Sequence, residues 1–268
     1  TDVASVDITE PSEVPRVVAR AREAFTSWSA TTLESRGRII RRAAQILESR
    51  GEDLARIVRR ETGKPLGGAL GEVSAAIEMA YLVASHGRYE SGQLLPSAVP
   101  GRQVRVQRMP RGVAALIATY NAPLPNFAWK VFPALMAGNT AILKPSPANP
   151  MSAEAFVEIL REAGVPADVL QVVHGQGDTA AAIIDSGVEL VSFTGSYPTG
   201  QKVVEASART MAKTIIELGG ANPIIVCADA DLDRAVDVVL DSAFSNAGQR
   251  CSSGSRIIID EAIYESFR

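Results

Sequence analysis

Cysteine and histidine are almost missing from these 268 residues, at two apiece. Two thiols in a chain of this length cannot form a disulfide framework. His86 and His174 stand in no cysteine or carboxylate spacing that would close a zinc or iron site, so no catalytic metal is expected. With so few imidazoles, the proton acceptor of any catalytic step is expected to be a carboxylate, with His174 a weaker candidate. An excess of either charge is missing as well: 27 basic and 30 acidic residues leave a formal net charge of −3. No global attraction for phosphate backbones follows, and nucleic acid is not an expected partner. Nothing in the chain reads as a signal segment or as a membrane span of about 20 apolar residues, so no membrane partner is expected and the cytosol is the default compartment.

What is present is ordinary for a soluble globular protein, 46% apolar and 21% charged, with length for one large domain or two smaller ones. The first ninety or so residues predict helices. Val14, Val17, Val18, Ala21, Phe25 and Trp28 recur at helical spacing, as do Leu33, Ile39, Ile40, Ala43, Ile46 and Leu47, and then Val73, Ile77, Ala80 and Tyr81. The stretch ETGKPLGG is a breaker between helices. After Pro100, QVRVQRMP alternates apolar and polar residues and predicts a half-exposed or edge strand. From Val113 the rhythm changes to short apolar runs (VAALIAT, TAILK, VLQVV, LVSF, TIIE) separated by helical segments, which predicts a parallel sheet with helical crossovers. A second set starts at Pro223 with the strand PIIVC, the helix Leu232 to Phe244 and the strand RIIID. The glycines at 219 and 220 mark the expected boundary between a first unit, 1–218, and a second, 219–268.

Cys251 and Cys227 differ in company. SNAGQRCSSGSR surrounds Cys251 with small and polar residues and sets Arg250 beside it, the setting of a reactive thiol, whereas IIVCADAD predicts a core position for Cys227. The turn FTGSYPTG, with Gly195 and Gly200 between a strand and a helix, could seat a pyrophosphate on free backbone N–H groups, and could equally be steric. Lys144 ends the strand TAILK at the carboxyl edge of the sheet, where it could meet ribose hydroxyls or phosphate or stand in solvent. Asn121 lies in a turn after VAALIAT, where its amide could face a developing oxyanion or only cap a helix. Glu217 ends TIIE before two glycines, a place where partial burial would favour a base, or where it could equally be an ordinary exposed or salt-bridged carboxylate. Phe127 and Trp129 are expected in the core.

Asn121, Lys144, the Gly195–Gly200 turn, Glu217 and Cys251 occur in that order, and here the sequence resembles the aldehyde dehydrogenase superfamily. The resemblance rests on ETGKP, TYNAPLPNFAWKVFPALMAGNTAILKPS, FTGSYPTG, ELGGANPIIV and NAGQRCSSGSR, and covers nearly the whole chain. It implies an α/β fold: a Rossmann-like parallel-sheet dinucleotide-binding domain followed by the beginning of a second, catalytic α/β domain, incomplete at its C-terminal side. It implies that Cys251 attacks the aldehyde carbon, that Asn121 and the cysteine's own N–H stabilise the oxyanion, and that Glu217 activates the water that hydrolyses the thioester. Lys144, Gly195, Ser196 and Gly200 match positions that hold the ribose and pyrophosphate of NAD or NADP, with Thr119, Tyr120, Ser146, Leu218 and Gly219 in the same cofactor set. Pro147 stands where NAD-preferring relatives often carry a glutamate, so NADP is not excluded. The segment 102–109 is then expected in an oligomerisation extension, and a homodimer or homotetramer is expected of the full-length protein. Family members continue well past the cysteine. The chain is therefore expected to be a fragment, inactive or poorly folded if it ended at Arg268. A coenzyme A-acylating relative, against which Glu217 argues, and a non-catalytic relative are the alternatives.

Overall fold

The computed structural model describes residues 5–89 and 92–268. Four helices come first: α1 (Val14–Ser29), α2 (Leu33–Ser49), α3 (Gly51–Thr62) and α4 (Leu66–Ser85). Their limits have local causes. The Thr32 hydroxyl accepts from the Ser35 N–H at 3.1 Å and starts α2, and Gly63, with φ of 74°, supplies the left-handed residue that ends α3. The breaker stretch acts at Gly63 and Pro65 alone, since Gly67, Gly68 and Gly71 lie inside α4. α4 and the turn after it, Leu66–Arg88, are long and apolar enough to cross a membrane, contrary to the expectation that no such segment exists. Ala69, Val73, Ala76 and Ala80 of that helix are nonetheless packed into the protein core.

Next comes an antiparallel pair, β1 (Gly92–Pro96) and β2 (Gln103–Gln107), with Gly92 opposite Gln107. β2 matches the edge strand foreseen, in a two-stranded sheet, and every residue of both strands is exposed. Alternation predicts a buried face only when another layer covers it.

The centre of the molecule is a parallel sheet built by β3 (Val113–Ile117), α5 (Pro123–Met136), β4 (Thr140–Lys144), α6 (Pro150–Ala163), β5 (Leu170–Val172), α7 (Gly177–Asp185), β6 (Leu190–Gly195), α8 (Tyr197–Thr210) and β7 (Lys213–Leu218). Strand order is β5-β4-β3-β6-β7. The sheet separates two cores. Ala114, Leu116 and Leu143 face Phe127, Phe132 and Phe156 on α5 and α6, while Val113, Ala115, Ile117 and Ile142 face α1, α7 and α8 through Val18, Ala21, Ile183 and Val203. Burial on both sides is why β3 and β4 read as unbroken apolar runs. Trp129 departs from the expected core position: it is 55% exposed, on the one uncovered flank of α5, whereas Phe127 is fully buried.

A second parallel pair follows, β8 (Asn222–Val226) and β9 (Gly254–Ile259), joined through α9 (Leu232–Phe244), and the chain ends in the short α10 (Tyr264–Phe267). Cys227, just past β8, is exposed rather than in the core, although Val226 before it is buried: the strand ends there and the turn carries the thiol outward.

Candidate active site

Chain order reverses at the centre of the five-stranded sheet: from β3 it steps outward through β4 and β5, then returns to β6 and steps outward through β7. The carboxyl ends of β3 and β6 therefore open a crevice between diverging connections, the place where open α/β sheets receive ligands. Thr119, Tyr120 and Asn121 follow β3, Lys144 and Ser146 lie at the end of β4, Gly195 and Ser196 at the end of β6, and Leu218 and Gly219 at the end of β7. One edge of one sheet thus gathers them all.

α8 points its N-terminus into this edge. Ser196 is its N-cap, but the side chain caps no backbone N–H; the hydroxyl donates instead to Thr199 Oγ1 at 2.9 Å. The first-turn N–H groups are left uncapped by it, as anion binding requires. The glycines serve packing. A Cβ on Gly200 would lie 2.6 Å from Leu218 Cδ2, so the glycine lets α8 sit close over β7, and one on Gly195 would lie 2.5 Å from the Phe193 ring of its own strand.

Lys144 is buried, not solvated. Its ammonium donates to the carbonyls of Pro145 at 2.9 Å and Gly175 at 2.7 Å, and burial pushes its pKa down to about 8, against the opposing pull of Asp178. Ser146 Oγ accepts from the Ala148 N–H at 3.2 Å and shapes the turn after the lysine. Glu217 is exposed, the second of the two placements its position allowed. It belongs to the uncovered face of β7, where Lys213, Ile215 and Glu217 alternate with the half-buried Thr214, Ile216 and Leu218. His174, just past the outer strand β5, is turned to Glu154, with its Nε2 at 2.8 Å from the carboxylate.

Asn121 and the segment before Cys251 are in direct contact. Asn121 Nδ2 donates to the Gln249 carbonyl at 2.6 Å, and Asn246 Nδ2 donates back to the Asn121 carbonyl at 3.2 Å. Asn246, Ala247 and Gly248 are all left-handed, with φ of 54°, 56° and 70°. That tight reversal swings Gln249 onto Asn121 and leaves Cys251 exposed on the following turn. Asn222 Nδ2 holds the turn from the other side through the carbonyls of Cys251, at 2.7 Å, and Ser253, at 3.1 Å. A cavity of about 100 Å³ lies alongside, lined among others by Lys64, Tyr120, Asn121, Asn246 and Gln249. Asn126, on α5, is buried with its amide on the Ala122 carbonyl at 2.8 Å, while Arg250, beside Cys251, is exposed.

The profile of the aldehyde dehydrogenase family matches residues 1–268. The chain belongs to the aldehyde dehydrogenase family. Among solved members, betaine aldehyde dehydrogenase from Staphylococcus aureus in complex with NAD+ superposes with a TM-score of 0.95 at 32% identity, over 98% of this chain and 53% of that one. An E. coli NADP dependent enzyme superposes at 0.96 and 36% identity, over 99% and 56%. A 3,6-anhydro-L-galactose dehydrogenase in complex with NADP gives 0.95 and 34%, over 99% and 56%. The chain thus spans about half the length of the solved family members it matches.

In this member of the family the sequence reading passed over two buried lysines. Lys130, on α5, donates to Ser192 Oγ at 2.9 Å; burial lowers its pKa to about 8, with the nearby Glu217 carboxylate opposing the shift. Lys64 pairs with Glu72 and donates to the Asn121 carbonyl at 2.9 Å. Both carried a signal. Glu72 falls between Ala69, Val73 and Ala76 on the buried stripe of α4, and Lys130 among Phe127, Val131 and Ala134 on α5; a charge on an apolar stripe marks a paired or functional group.

Proposed function

We propose that the protein to which this chain belongs oxidises an aldehyde to a carboxylic acid with NAD or NADP, through a thiohemiacetal and a thioester on Cys251. The observation that carries the reading is the hydrogen bond between the Asn121 amide and the Gln249 carbonyl, two residues before the thiol, at the carboxyl edge of the sheet. The uncapped N-terminus of α8 and the buried Lys144 fit the pyrophosphate and ribose of a dinucleotide. Bound there, the nicotinamide supplies a hydride acceptor.

The chain's own residues account for the remaining chemistry. The Cys251 thiolate adds to the carbonyl carbon, and the oxygen that gains charge accepts from the second Asn121 amide hydrogen, the one not engaged by Gln249, and from the Cys251 N–H. Loss of hydride leaves a thioester. Glu217 takes a proton from water, whose oxygen attacks the acyl carbon, and the sulfur leaves as thiolate with release of the acid. A general base suits water as acceptor and is dispensable for a thiol, which favours hydrolysis over transfer to coenzyme A.

The test is a panel of hexanal, benzaldehyde and succinic semialdehyde, each with NAD+ and with NADP+, following reduced nicotinamide and the acid product in the intact protein. The expected result is acid formation with a thioester mass adduct at Cys251 during turnover. Turnover that survives Cys251→Ala would overturn the reading.

A further inference from the structure

Lys64 reaches the candidate site from the opposite end of the sequence. Gly63 turns the chain in a left-handed residue at the end of α3, and Glu61 pins the same segment by accepting from the N–H groups of Met151 at 2.6 Å and Ser152 at 3.0 Å, at the start of α6. Lys64 is thereby directed inward, 8% exposed, onto two acceptors: Glu72 of α4 and the backbone carbonyl of Asn121. The carbonyl accepts a second hydrogen bond from Asn246. Four segments distant in sequence, 61–64, 72, 121 and 246–249, are joined in one hydrogen-bonded chain that ends at the Asn121 amide.

An ammonium on a backbone carbonyl is a charge-assisted bond, stronger and shorter in reach than a neutral one. It fixes the plane of the Asn121–Ala122 peptide and hence the base of the Asn121 side chain. Glu72 is needed with it. A lone buried ammonium is costly, and the lysine already has its pKa lowered to about 8, by burial first and by the neighbouring Arg250 second. With Glu72 beside it the pair carries no net charge.

We propose that Lys64, neutralised by Glu72, is a positioning residue that holds Asn121 against the Cys251 segment, so that its free amide hydrogen meets the oxygen that gains charge. The inference rests on the function proposed above for Asn121, and its test separates the two.

Lys64→Met alone would leave Glu72 buried without its partner and endanger folding. The variant of choice is therefore Lys64→Met/Glu72→Leu, since exchanging both members of a buried pair for apolar residues is often neutral for stability. In the intact protein, with the same three aldehydes and both nucleotides, it should keep its thermal midpoint and its KM for the nucleotide while kcat falls about 100-fold, the scale of a misplacement of ~1 Å. The same pair of substitutions added to Asn121→Ala should cost nothing further. A purely structural pair would instead give independent, multiplying losses in that background, or a kcat within twofold of wild type in the folded variant; either result overturns the proposal. A second readout needs no turnover. Solvent exchange of the Asn121 side-chain amide, followed by NMR, should quicken at least about tenfold in the pair variant. Unchanged exchange overturns the positioning role even if the chain oxidises aldehydes, while quickened exchange in a protein without that activity supports it and sinks only the catalytic reading.

Discussion

β3 and β8 are both five-residue strands ending in apolar residues, VAALI and NPIIV, yet every residue of β3 is buried while Ile225, inside β8, is 68% exposed. The difference lies in what covers them. β3 has strands on both sides and helices on both faces, whereas among the described residues β8 pairs only with β9, and the helix between them buries only Val239. Among the described residues the carboxyl edge of the five-stranded sheet is therefore framed by a packed, two-sided layer, and the Cys251 turn by a thin one. The packed layer can hold Lys144 and Lys130 in fixed orientations at the cost of desolvating them. The thin layer holds its turn by hydrogen bonds instead, from Asn222 below and from Asn121 across the cleft.

That contrast makes different demands on the two regions, which substitution can separate. Cys251→Ala should remove at least about 10⁴-fold of the turnover while changing stability by less than about 0.5 kcal/mol, because the side chain is exposed on its turn; nicotinamide absorbance and urea unfolding read the two quantities. Phe156→Ala should do the reverse. Its ring is fully buried and lies 5.5 Å from Phe132 and 5.8 Å from Phe127, so truncation should cost about 3–5 kcal/mol in the same unfolding assay.

A smaller effect sets the charge inside the packed layer. Lys144 in the fold gives up its proton near pH 8, against an ordinary value of 10.5. Below the lower value both states are charged and the fold bears the full desolvation cost. Between the two values the unfolded chain holds a proton that the fold has lost, so stability rises with pH. Wild type should therefore gain on Lys144→Met by on the order of 2 kcal/mol between about pH 8 and about pH 10, and a difference independent of pH would show that the ammonium is not desolvated. The thin layer is tested by Ala247→Gly, which relieves a left-handed alanine with φ of 56°. A gain below about 1 kcal/mol is expected from the balance of strain and chain entropy. Least of all, Ile225→Thr should shift the unfolding midpoint by less than about 0.5 kcal/mol equivalent; a core-sized loss would mean that this face is covered in the protein as it unfolds.

The two layers also differ in how far they could be read in advance. Strands 140–144 and helix 232–244 were legible to the residue, because Gly, Pro and Asp punctuate them and their periodicity is clean. The α2–α3 break at Arg50 and strand β1 were not: helical periodicity runs on from α2 into α3 across Gly51, and the five residues Gly92–Pro96, with Gly and Pro at their ends, read as a turn-rich loop. At the site, Asn121 and Cys251 stood out by their company, but the partners that tie them together did not: Gln249 contributes only its carbonyl and Lys64 acts from α3's end. Backbone groups have no sequence signature, and a contact across 57 residues has no period.

By itself the sequence determined the alternation of strand and helix, the order of the chemical residues and the family they belong to, because local punctuation and apolar period are written residue by residue. Only the tertiary structure decided which apolar runs are truly buried, that Lys144 lies inside and Glu217 and Cys227 outside, and that Lys64 and Glu72 stand behind Asn121. Burial and pairing depend on which layer arrives from elsewhere in the chain, and that is a property of the packed whole.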